Sequence, residues 1–390
     1  MSKRLDTAAR SVFGLVIVVV LFWLQWRSDL QHPDWQVWEA SNNLFDVGAN
    51  PYDPLVLNQE LQSDVLAYGD HFNNDQQFMY LSNPPSWLAT IRFYANSTFL
   101  VAFAGTLAMA ASIVALTKDR PFIDTMAGMA GMFVFAYLSP GASTFLFGQA
   151  GLFLAGMVSL HVAFMGRTLW GIPVALLSSK PHFAFAAGIV ALVRDPKRIS
   201  IRIAVPYALL VLTTTALIGA RSWLQWVDAI ANNALPESTL SDMSIGSLHP
   251  ALPWRDDLGL VGVLIGLALS AGFAWYGRRS DPIPVAFASL AIAVYLSGHA
   301  FMHDWMWLAI VPVAMKWSPP VTLLGLSSIG LALTARNSVP QNLPLDYQSS
   351  IGLLITIGLV AIALRSIRNA GSQTPETEVT APSEQAAVPA

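Results

Sequence analysis

A chain of 390 residues that is 54% hydrophobic and 12% charged, with a mean hydropathy of +0.51, is too apolar for a water-soluble domain, in which about a quarter of residues are charged. Cysteine is absent, which excludes a disulfide framework, a thiolate metal site and a cysteine nucleophile. The net charge of -3 is nearly neutral and hides an asymmetry between two faces of a polytopic membrane protein.

Lys3, Arg4 and Arg10 precede an apolar run of about sixteen residues that ends at Trp26. No small-x-small cleavage site follows, so the run reads as a retained first span rather than a secretory signal. Further apolar runs fall at about 97–117, 121–139, 149–166, 168–179, 183–193, 199–219, 258–277, 282–298, 304–316, 319–335 and 349–366. Two of these are short and flank Ser178-Ser179-Lys180-Pro181-His182. An interrupted helix is tolerated in a bilayer only where its freed backbone is buried in protein or lines a cavity, so this pair is expected inside the bundle. With the N-terminus cytoplasmic, Lys118, Arg120, Arg167, Arg194, Lys197, Arg198, Arg278, Arg279, Lys316, Arg365 and Arg368 all fall inside. That requires an even number of crossings, and the pattern predicts an all-α bundle of about 12 transmembrane helices, within a range of about 10–12.

Two long loops then lie outside, at about 28–96 and 220–257. In the first, Pro33 and Asp34 mark a helix start, and Trp35, Trp38 and Phe45 recur at helical spacing, as on an amphipathic helix lying in the membrane interface. Asp34 there is either a cap for free backbone N–H groups or a carboxylate placed for chemistry at the mouth of the protein. The second loop carries Ser222-Trp223-Leu224-Gln225-Trp226 on another amphipathic helix. The cytoplasmic connections are short and leave no room for a nucleotide-sugar domain. Residues 1–369 form the membrane domain, and 370–390, rich in Ser, Thr, Pro, Glu and Ala, read as a disordered cytoplasmic tail. No phosphate loop of the Gly-rich kind and no nucleic-acid surface is present in the pattern.

Ionisable side chains at membrane depth are costly and direct attention to function. Lys180 either pairs with a protein carboxylate, snorkels to the interface, or faces an anionic ligand, with His182 beside it. In Ser297-Gly298-His299-Ala300-Phe301-Met302-His303-Asp304, His299 and His303 stand at i, i+4 and allow a metal, a cap or phosphate recognition. Gly148-Gln149 opens a span, where Gln149 caps the helix or touches sugar.

The run Asp34-Trp35-x-x-Trp38-x-Ala40, followed by Gly48-x-Asn50-Pro51-Tyr52-Asp53-Pro54, resembles the polyprenyl-phosphate-mannose-dependent mannosyltransferases of glycosyltransferase family 87, integral membrane enzymes of the GT-C class. Gly148-Gln149 and His303-Asp304 resemble further features of that family, although Ala150-Gly151 replaces its usual Gln-x-Asn pattern. The resemblance implies a GT-C-like bundle and a lipid-linked sugar donor, with no cofactor and no metal. It implies Asp34 as general base, and it places His303 at the donor phosphate. Lys180 and His182 join His303 as candidate phosphate ligands, while Gln149, Trp38, Tyr52, His299 and Trp223 are candidates for contact with donor or acceptor. Other GT-C enzymes use arabinofuranose or glucose, and a lipid-linked sugar transporter or flippase is the alternative from another class. The expected partners are a polyprenyl-phosphate sugar, a glycolipid or glycan acceptor of the cell envelope and membrane lipids. The expected location is a bacterial inner membrane, with both termini cytoplasmic and the active site extracytoplasmic.

Overall fold

The computed structural model describes residues 3–26, 33–63, 83–94, 97–137, 150–165, 167, 170–194, 196–232, 258–297, 302–334 and 347–372. Among them every regular element is helical. Four helices among the described residues are long and apolar enough to cross a membrane, and seven shorter apolar helices accompany them there. This is an integral membrane bundle, and the apolar runs of the sequence correspond to its helices.

The first helix, α1 (Lys3–Trp26), is longer than the apolar run alone indicates, because the basic turn at its start is helical as well. The first loop holds α2 (Pro33–Asp46), α3 (Pro54–Ser63) and α4 (Pro85–Phe93). Each begins on a proline, whose fixed φ suits the first helical position and whose missing N–H is not needed there. Then come α5 (Thr98–Thr117), α6 (Phe122–Tyr137) and α7 (Gly151–Ala163). At the crossing of α5 and α7 a Cβ on Gly105 would run into the Leu152 carbonyl, and one on Gly156 would run into the Gly105 backbone. Small residues at a crossing are what let two membrane helices approach closely when no hydrophobic effect drives them together.

The interrupted pair is present as expected. A short α8 (Gly171–Leu176) tightens into a 3-10 turn (Leu177–Ser179) and stops, and α9 (Pro181–Arg194) starts afresh. The next helix, α10 (Pro196–Ile218), is peripheral, with only 6% of its spanning stretch buried in protein. At its end Gly219, with φ +95°, turns the chain into the amphipathic α11 (Arg221–Asn232). The rest of the bundle comprises α12 (Leu258–Tyr276), α13 (Pro282–Tyr295), a 3-10 segment (Met302–Ile310) running into α14 (Val311–Ala314), α15 (Pro319–Thr334) and α16 (Tyr347–Ser372).

The apolar run at 304–316 is therefore mostly 3-10. Pro312 sits in the first turn of α14, where it cannot donate a hydrogen bond to the turn before it. With a rise of about 2.0 Å per residue against 1.5 Å, the tighter coil also makes a short segment reach further across the bundle. This segment is central. It packs against α6 and α7, and Trp305 and Trp307 are fully buried together with Trp87, Phe153, Phe183 and Phe287. The second long loop beyond residue 232 and the tail from 373 lie outside the described residues.

Candidate active site

The break between α8 and α9 exists because Pro181 follows Lys180, and a residue before proline is pushed out of the helical region. Lys180 accordingly adopts φ -128°, ψ 101°, which ends the 3-10 turn. Its Nζ donates to both carboxylate oxygens of Asp304, at 2.6 Å each. Asp304 lies in the first turn of the central 3-10 segment, where backbone N–H groups favour an anion. Its side chain is 0% exposed, whereas that of Lys180 keeps 17%. A buried charge pair of this kind costs desolvation that only good geometry offsets, and it becomes strongly destabilising when one partner is removed.

Unspent polar groups stand close to the pair in the chain and on α4. The hydroxyls of Ser178 and Ser179 and the indole N–H groups of Trp87, Trp305 and Trp307 are buried and have no hydrogen-bond partner among the described residues. Helix α4, which carries Trp87, packs against the 177–179 turn, as does α7. Native proteins seldom bury such groups without water or a ligand to satisfy them. His182, one residue past Pro181, is half-buried with its ring 5.0 Å from that of Phe183.

The first loop is built as a frame around Asn83. The Trp38 indole donates to Asn83 Oδ1 at 3.1 Å, and the Tyr52 hydroxyl donates to the Asn83 carbonyl at 3.0 Å. The Gly48–Pro54 turn explains itself residue by residue. Gly48 takes φ +76° just past α2, Asn50 Oδ1 accepts from the Tyr52 N–H at 3.1 Å, and Asp53 Oδ1 caps α3 by accepting from the Leu55 N–H at 2.9 Å. Burial pushes the Tyr52 phenol well above its usual range, so it stays a neutral donor. Arg92 closes the frame, with Nη1 donating to the Leu217 carbonyl at the end of α10 and Nη2 paired with Asp46 at the end of α2. The net effect is to dock α2 on α4, and α4 on the break that carries Lys180.

Asp34 falls in the first turn of α2, as its sequence context predicts, but its side chain lies outside the described residues, as does that of His303. His299 and Gln149 lie outside them entirely. Trp38 and Tyr52 are both buried at 4% exposure and serve the frame just described. Trp223 is half-buried on α11 and donates to Thr215 Oγ1 at 3.3 Å, which ties the first turn of α11 to the last turn of α10. Of the candidate phosphate ligands, the fold brings Lys180 to the residue next to His303. Among the described residues no three His, Asp or Glu side chains gather in a way that could hold a metal.

Three residues to which the sequence pattern assigns no role matter here. Asp304, quoted above only beside His303, is the protein carboxylate that Lys180 meets, and a separation of 124 positions leaves no local signal of that pairing. Asn83 is another, legible only through its two distant donors. Glu39 on α2 is the third: it is half-buried, and burial raises its carboxyl above the ordinary value.

No curated protein and no solved structure matches the chain. A family model does, over residues 77–302, a stretch that takes in α4, the break at Lys180 and the chain up to the start of the central 3-10 segment. That match covers more than half of the sequence and, with the apolar bundle, makes the protein a membrane glycosyltransferase: the chain belongs to Glycosyltransferase family 87.

Proposed function

We propose that this protein transfers a sugar, in the first instance mannose, from a polyprenyl-phosphate donor to an acceptor hydroxyl on the extracytoplasmic side of a bacterial inner membrane. The observation that carries this reading is the Lys180–Asp304 pair, a buried cationic and anionic side chain at the one described break in the bundle, surrounded in the chain by unspent hydrogen-bond donors. In this reading the anion that meets the pair is a lipid-borne phosphate.

In this mechanism Asp34 takes the proton of the acceptor hydroxyl as its oxygen attacks the anomeric carbon. The bond from that carbon to the phosphate oxygen breaks, and the electron pair leaves with the polyprenyl phosphate. One displacement inverts the anomeric configuration, so a β-linked donor yields an α-linked product. Lys180 and His303, with His182, offset charge on the leaving phosphate, which is the usual way such sites lower a barrier. The Asn83 frame holds α2, and so the backbone of Asp34, on α4, which in turn packs against the 177–179 turn just before Lys180. Gln149, His299, Trp38, Tyr52 and Trp223 border the sugar and acceptor paths in this reading, Trp38 and Tyr52 through the frame they maintain.

The prenyl tail takes the apolar groove of about 640 Å³ lined by Leu269, Phe273, Tyr276, Ile292, Tyr295 and Leu353, between α12, α13 and α16. Tyr295 and its neighbour Leu296 stand at the end of α13 from which the chain runs on towards Asp304. The test is incubation of purified protein in lipid with radiolabelled polyprenyl-phosphate mannose, arabinofuranose and glucose in parallel. Release of polyprenyl phosphate and a labelled acceptor from the mannose donor is the expected result. Label moved across the bilayer with the donor intact would replace the enzyme by a transporter.

A further inference from the structure

We propose that Asp304 is a positioning residue for the donor phosphate: it fixes the Lys180 ammonium so that its remaining N–H meets the phosphate, and it does not itself touch substrate. The proposal rests on the lipid-phosphate reading above. Its grounds are geometric. Both Asp304 oxygens accept from the same Nζ at 2.6 Å, and the carboxylate is fully enclosed while part of the Lys180 side chain stays open. No substrate reaches Asp304 directly, so any effect it has on donor binding passes through Lys180.

Lysine carries a compact charge on a long flexible stem and loses considerable rotamer freedom when held in one place. A carboxylate that holds the stem from behind removes that loss before the ligand arrives, which is how preorganisation improves affinity. Two N–H directions spent on Asp304 leave a third on the ammonium. Pro181 supports the same end. It forces Lys180 out of the helix, so that the stem departs from the chain at the break instead of along the side of α9. The pair also joins the start of α9 to the start of the central 3-10 segment, so the residue next to His303 is held in register with Lys180.

A purely structural pair and a positioning pair predict different outcomes when both charges are removed. Replacement of a buried ion pair by apolar groups of similar volume is often neutral for stability. The experiment uses the full chain in lipid nanodiscs and reads two quantities: the thermal unfolding midpoint, and the affinity for a polyprenyl phosphate relative to the polyprenol of equal length. Wild type is expected to prefer the phosphate. Asp304→Asn should reduce that preference roughly ten- to a hundred-fold, the worth of a hydrogen bond to a charged group, and Asp304→Glu should restore part of it. The double variant Lys180→Met/Asp304→Leu should recover a midpoint close to wild type and still show no preference. Recovery of the phosphate preference in the double variant, or an undiminished preference in Asp304→Asn, would overturn the inference and leave the donor reading intact. Equal affinity of wild type for the two lipids would overturn both.

Discussion

Arg10 and Lys180 are both cationic side chains inside an apolar bundle, and the protein treats them differently. Arg10 is 2% exposed and makes four hydrogen bonds, to Asp6, the Thr117 carbonyl, the Thr125 hydroxyl and the Arg120 carbonyl, at 2.5–3.0 Å. Arg120 in turn donates to the Val313 carbonyl at 2.9 Å. These arginines tie short connections together, using a planar fork of donors against carbonyl oxygens that helix ends leave free. At the start of α9 and of the central 3-10 segment, Lys180 meets a buried carboxylate, with two serine hydroxyls next to it in the chain left unspent. Four protein partners around a guanidinium that is 2% exposed mark a staple. In the reading proposed above, the unspent hydroxyls beside a lysine whose side chain keeps some exposure are where the donor phosphate completes the set.

Substitutions sharpen that contrast, starting with the one of largest expected effect. Asp34→Asn should lower transfer on the order of a thousandfold while donor affinity and the unfolding midpoint stay near wild type; an active variant would remove the base assignment. Arg10→Leu belongs to the stapled end and should cost about 2–4 kcal/mol of stability, with turnover per folded molecule unchanged. A drop in turnover at equal folded fraction would show that the two ends are coupled. Tyr52→Phe removes one hydrogen bond from the Asn83 frame and should cost about 1 kcal/mol, with a modest rise in donor KM as α2 loosens.

Glu39→Gln is the mildest. Burial raises the Glu39 carboxyl in the folded protein, so its ionisation opposes folding, and its contribution to stability is lost as pH rises through the folded-state value. Glutamine carries no such penalty. The variant should therefore be slightly more stable than wild type at neutral pH, with the gain vanishing in acid below the usual glutamate range. Thermal scans across pH decide this, and a gain that grows towards acid would reverse the sign.

Much of the fold was legible because it depends on local pattern. Runs of apolar residues marked the helices, Pro33 marked the start of α2, the spacing of Trp223 and Trp226 marked α11, and Pro181 marked the break after Lys180. That the 304–316 run coils mostly as a 3-10 helix was not legible, because hydropathy does not distinguish a 3-10 coil from an α-helix. The turn containing Asn50, Tyr52 and Asp53 stood out by resemblance, yet its work as a frame for Asn83 needed the folded chain.

The sequence by itself determined that this is a membrane bundle, where its helices lie and which ionisable groups sit at a break, because the cost of placing a residue in hydrocarbon is a property of that residue and its near neighbours. Only the tertiary structure decided that the partner of Lys180 is Asp304, that Asn83 receives Trp38 and Tyr52, and that α4 joins the first loop to the break. Those pairings depend on how helices cross, and crossings are set by close packing such as that of Gly105 on Gly156, between positions far apart in the chain.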